Sequence, residues 1–218
     1  NLPVNYRKGN DKQMAAFIAD AEAGKIDGVI FYNCNPVYDH PMGEKLGAAL
    51  KNMTLTVATN YTEDETGSSV TYKAPDHHYL ESWNDAEPKK NMFSLSQPAI
   101  TPIFKSRQAQ ESFMVWAGET NVDYFNVVKE NWRNWFFNKD SKGMDFQSWW
   151  DKCLYDGVYE LSIDTTIPAF RGDVAAAASA LASRYKADNK GMELVVYESF
   201  GVGNGSQANN PLLQELPD

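Results

Sequence analysis

Two short apolar runs constrain this chain more than anything else in it. Gly28-Val29-Ile30-Phe31-Tyr32 is continuous, lacking the alternation of a strand with one wet face, and Leu55-Thr56-Val57-Ala58 is the next such stretch. A run of this kind marks a strand buried on both faces. Between the two, Gly43 to Lys51 reads as a short helix, so together they make a βαβ unit and require a parallel sheet. Ahead of them, Lys12 to Ala23 places Met14, Phe17, Ile18 and Ala21 on one helical face, with Asp11 as N-cap and Gly24 as the stop.

The second half is richer in helix and in aromatic residues. Arg107 to Trp116 and Tyr124 to Phe137 read as amphipathic helices, the second carrying Phe125, Val128, Trp132, Trp135 and Phe136. Asp145 to Leu154 adds a third, with Phe146, Trp149, Trp150 and Cys153 close to one face, and Ala175 to Lys186 a fourth, capped by Asp173. Glu193 to Tyr197 reads as a last buried strand, followed by a flexible loop through Gly201, Gly203 and Gly205. The predicted fold is therefore one α/β domain over 1–218. Its sheet is mostly parallel with flanking helices, in a Rossmann-like three-layer arrangement. Residues 1–106 form the βαβ core, 107–190 the helix-rich part and 191–218 the last strand and tail. Val29–Tyr32, Leu55–Ala58 and Leu194–Tyr197 are the expected buried strands.

Composition narrows the function classes. With 218 residues, 43% hydrophobic and 22% charged, the chain can bury a sizeable core. Its net charge of -9, without any Lys/Arg cluster, excludes a nucleic-acid partner. No apolar run is long enough to cross a bilayer, so no direct membrane insertion is expected. The chain opens Asn1-Leu2-Pro3 without methionine and reads as a piece of something longer. Its two cysteines, Cys34 and Cys153, cannot supply the four thiolates of an iron–sulfur cluster or zinc site, and read as two buried free thiols.

Few stretches could carry chemistry. Asn33-Cys34-Asn35-Pro36 follows a parallel strand, where open α/β sheets bind ligands. Its Asn side chains could bond a base or phosphate, or Asn-Pro could simply start a turn. His77, His78 and Glu81 form the one metal-like group, but neighbouring histidines diverge and a third ligand is lacking. Glu63-Asp64-Glu65 lacks the alternating ligands and glycine of a calcium loop and reads as solvated or capping. The tryptophans at 132, 135, 149 and 150 fit core packing or a subunit interface. No Gly-x-Ser-x-Gly elbow occurs, and Gly201-x-Gly203-x-Gly205 is not followed by a dinucleotide-binding helix.

Several stretches resemble the molybdopterin oxidoreductase family. Gly28 to Tyr38, through Asn33-Cys34-Asn35-Pro36, is similar to its strand-loop "G-x-N-P" element, and Thr62 to Thr66 to its "T-E-T" segment. His78-Tyr79-Leu80-Glu81-Ser82-Trp83-Asn84-Asp85-Ala86 resembles "H-Y-L-E-S-W-G-D-A" of one branch, the iron–sulfur subunit of the quinol-oxidising respiratory assembly called alternative complex III. Gln97-Pro98, with Ile100 and Pro102, and the tail Ala208 to Asp218 are similar to two further runs of that branch.

The resemblance implies a non-catalytic scaffold or binding domain of a membrane-attached respiratory oxidoreductase. The chain would be a fragment of a larger subunit, ending about where the family's final cofactor-binding domain begins. No cofactor is implied in this piece; iron–sulfur clusters would lie in another part of the subunit, and the partners would be other subunits of the complex. The implied location is the outer, periplasmic face of the bacterial cytoplasmic membrane. Asn33, Asn35 and Pro36 would form a degenerate pterin-dinucleotide loop, with Cys34 where active relatives keep a glycine that admits close backbone contact. The alternative is part of a working molybdopterin-guanine-dinucleotide enzyme with the cofactor over Asn33 to Pro36. In the first case Cys34, Tyr38 and His40, with Glu63 or Glu65, are expected to fill the crevice, and Asn35 to bond backbone. His78 and Glu81 are expected to hydrogen-bond across a turn.

Overall fold

The computed structural model describes residues 9–139, 141–162, 169–185, 191–192, 194–203, 205 and 207–216. The chain divides into two compact units, Asn1–Asp164 and Thr165–Asp218.

The first unit begins with helix α1, Asp11–Glu22. Asn10, one residue ahead of the expected cap, accepts the Gln13 N–H, and Gly24 leaves the helix at φ +67°, a left-handed turn that glycine adopts without strain. Strands β1 (Gly28–Phe31) and β2 (Leu55–Ala58) pair in parallel, in register from Gly28 opposite Leu55 to Phe31 opposite Ala58. Their connection carries a short helix α2, Pro36–Asp39, and α3, Gly43–Leu50. Helix α4 (Glu65–Ser69) then leads into β3 (Tyr72–Lys73), parallel to β2 at the other edge. Ile18, Ala21, Phe31, Leu46, Leu50 and Ala58 join in one buried cluster.

Register puts Ile30, Tyr32 and Leu55 on the opposite face, each close to half exposed. β1 is thus covered on one face only, whereas β2 beyond Leu55 is buried on both, with Thr56, Val57 and Ala58 all buried. The helices cover the face of Phe31 and Ala58, and for β1 continuous hydrophobicity alone does not supply the second cover. Gly43 is indispensable where α3 meets α2: a Cβ there would lie 1.9 Å from the Val37 carbonyl oxygen.

A second, antiparallel sheet departs from the mostly parallel expectation. Strands β4 (Asn84–Lys89), β5 (Met92–Ser96) and β6 (Val158–Glu160) lie in the order β4-β5-β6. β4 and β5 form a hairpin whose turn places Asn91 at φ +62°. Helices α5 (Ala109–Trp116), α6 (Tyr124–Trp132) and α7 (Phe146–Asp156) follow the expected segments, α6 running on through a π-helical turn over Arg133–Phe137. Val128, Trp132, Phe136, Trp149, Trp150, Cys153 and Tyr159 form a second buried cluster. The Trp132 indole N–H donates to Asp85 at 2.9 Å, tying α6 to β4. Trp135 departs from the core reading, at 51% exposed.

In the second unit, helix α8 (Val174–Arg184) is capped by Asp173 as expected, and a short α9 spans Pro211–Gln214. None of this unit's described residues is buried. The expected last strand is corrected here: Leu194, Val195, Val196 and Tyr197 are 75–88% exposed and form no ladder. An apolar run becomes a strand only beside an edge that accepts its backbone hydrogen bonds. Within this unit the described residues offer a single bridge, Ser199 to Gly203. Glu193, Pro217 and Asp218 lie outside the described residues.

Candidate functional site

The carboxyl ends of β1, β2 and β3 open into three loops, the place where an open parallel sheet presents ligand-binding groups. Asn33, first of the expected site residues, sits at φ +48°, a left-handed conformation that asparagine tolerates. Beyond it the loop is tied to its neighbour. The Cys34 N–H donates to the Asn60 side-chain oxygen at 3.3 Å, and the Asn60 amide donates to the Cys34 carbonyl at 3.0 Å.

Asn35 is engaged at both ends of its side chain. Its oxygen accepts the Thr66 N–H at 3.0 Å and the Thr66 hydroxyl at 2.7 Å, while its amide donates to Glu65 at 2.7 Å. Thr66, fully buried, also accepts the Val37 N–H at 3.1 Å. Pro36 is buried and opens α2, where a missing N–H costs nothing. Asn35 thus bonds backbone, as expected, and two side chains besides.

Of the expected fillers of the crevice, Cys34, Tyr38, His40 and Glu63 take other places. Cys34 is exposed, and Tyr38 is 48% exposed. His40 accepts the Met42 N–H, and Glu63 pairs with Lys73. Glu65 alone of those expected does close the loop, through the Asn35 amide, and Asn60, Asp64 and Thr66 complete it. Asp64 also caps α4 by accepting the Gly67 N–H, the capping role expected of the acidic run. Of the two free thiols only Cys153 is buried; burial pushes it up to about 11.

Charge around this loop is negative. Burial, then Asp64 and Glu65, raise the Asp39 carboxyl above its ordinary range. Glu65 is held below its range, first by the Asn35 amide. Desolvation, with Asp64 and Asp39 adding to it, raises the Cys34 thiol. A pyrophosphate would meet three carboxylates and an Asn35 side chain already committed, so these residues do not fit a pterin dinucleotide.

Next to it, at the ends of β2 and β3, lies a cavity of about 690 Å³. Tyr61, Leu80, Ile103 and Phe104 line it together with Asp76 and His78. Asp76 accepts N–H groups from His77 and Ala109, each at 2.7 Å, and burial raises its carboxyl pKa against those bonds. His78 and Glu81 cap the turn Tyr79–Glu81 reciprocally, as expected. The Leu80 N–H donates to His78 Nδ1 and the His78 N–H to Glu81. The other Glu81 oxygen accepts the Ile103 N–H at 2.9 Å, which fastens the 100–106 loop as the cavity's outer wall. These bonds hold Glu81 below the usual carboxylate range.

No protein-family model matches the chain, and no curated protein matches it.

Among the described residues, no group of three His, Cys, Asp or Glu side chains is placed to hold a metal ion, and no helix is long and apolar enough to cross a membrane. Sequence reasoning missed the cavity. Its available signal was Ile100 between Pro98 and Pro102, with Ile103 and Phe104 directly after, apolar residues that no helix or strand period accounts for.

Proposed function

We propose that this chain is a non-catalytic scaffold and binding domain of a membrane-attached respiratory oxidoreductase subunit of the molybdopterin oxidoreductase family, resembling the alternative complex III branch. It supports electron transfer from quinol through iron–sulfur clusters located elsewhere in the subunit. One observation carries the reading: Asn35, the residue an active relative would turn toward its dinucleotide, is locked to Thr66 and Glu65. The Rossmann-like three-layer arrangement belongs to the same reading, with Ile30, Tyr32 and Leu55 on the face a further layer would cover.

The domain holds partner subunits on the periplasmic face of the bacterial membrane and itself carries no catalytic group. Titration of the chain with GDP and GTP tests this: no saturable binding is expected, and replacing Cys34 with glycine creates none. Binding at about 1 μM or tighter overturns it in favour of a working cofactor site. Fractionation of the complete protein with the membrane, and its release by disrupting partner subunits, is the expected result for location.

A further inference from the structure

We propose that the cavity at the carboxyl ends of β2 and β3 binds a neutral, flat aromatic small molecule bearing a carbonyl acceptor. This goes beyond the scaffold reading and does not depend on it. The cavity's volume, about 690 Å³, lies within the range of pockets that enclose drug-sized ligands. Tyr61, Leu80, Ile100, Ile103 and Phe104 give it an apolar wall suited to a ring system. That wall does not depend on loose loop packing, because the Glu81 carboxylate holds both the His78 and Ile103 backbones.

The polar groups then select the ligand. Nδ1 of His78 accepts the Leu80 N–H, so the neutral imidazole carries its proton on Nε2 and offers a ligand one donor. The ring is itself steadied by Tyr61, edge-on at 5.7 Å, and by Tyr79 at 4.3 Å. A carbonyl oxygen is the matching partner. Asp76 and Glu81 outnumber Lys105 on the cavity lining, which disfavours an anion. Both carboxylates already accept backbone N–H groups, which weakens their hold on a cation and leaves a neutral ligand the best match.

The test uses 7-methoxycoumarin, a neutral fluorescent ring with one lactone carbonyl, and coumarin-3-carboxylate as its anionic counterpart. Saturable binding of the first by the 218-residue chain is expected, with the carboxylate at least about tenfold weaker. Ile103→Arg, at a side chain 70% exposed, and Phe104→Ala, at one 78% exposed, each weaken binding by about tenfold or more without moving the thermal unfolding midpoint. Two substitutions guard against one variant failing to fold. Absence of saturable binding, equal affinity for the carboxylate, or indifference to both substitutions overturns the proposal. A GDP titration run alongside reports on the scaffold reading alone, so the two fail separately.

Discussion

Thr66 is fully buried, and Asn35 supplies an acceptor to both its N–H and its hydroxyl. Asn35→Ala strips that acceptor from a buried donor, and a loss of about 1–3 kcal/mol is expected, read as a lowered urea midpoint with an unchanged slope. Glu81 makes a different prediction. Its carboxyl, stabilised by the Ile103 and His78 N–H groups, has a folded pKa below the ordinary value of about 4.3. Its contribution is therefore present above that value and is lost as pH falls through the folded pKa. Between pH 7 and pH 3 the urea midpoint of the unmodified chain should fall further than that of Glu81→Gln; parallel falls would refute the assignment. Residue chemistry was legible where partners are close in sequence, as with Asp64 over Gly67 or His78 over Glu81. For Asn35 a bond to backbone was legible but its partner residues were not, because they lie 30 and 31 positions away, beyond any local period.

Elements with a strong period were readable from the chain alone: α1, α3, α7 and α8 fall within a residue or two of where apolar spacing and caps put them. The β4–β5 hairpin was not. Its first strand, Asn84-Asp85-Ala86-Glu87-Pro88-Lys89, has neither alternation nor β-branched residues and holds its place through Trp132 and its partner strand. Its second, Phe93-Ser94-Leu95-Ser96, does alternate, with Phe93 and Leu95 packing on the aromatic cluster, and that signal was available. The backbones of α2 and α3 come close at Gly43. Gly43→Ala would drive a methyl into the Val37 carbonyl, so the two helices must separate. A loss of about 1–3 kcal/mol is expected, measured by thermal unfolding, with no comparable loss for Gly24→Asn, where the added Cβ meets open space and asparagine accepts φ +67°.

At the scale of the whole molecule, every residue of the two buried clusters belongs to the unit Asn1–Asp164, and Trp150 is the last of the six tryptophans. A chain ending at Asp164 should keep the tryptophan emission spectrum and denaturation midpoint of the full chain; a redshifted spectrum would show that the core needs Thr165–Asp218. Leu194-Val195-Val196-Tyr197 has a consequence of another kind. Four consecutive β-prone side chains open to water, with no charge among them, act as an adhesive between molecules. Static light scattering should therefore rise more steeply with concentration than for an ideal solute, and Val195→Lys, which sets a charge in the middle of the run, should flatten that rise. On this expectation a short uncharged stretch draws together molecules that a net charge of -9 holds apart.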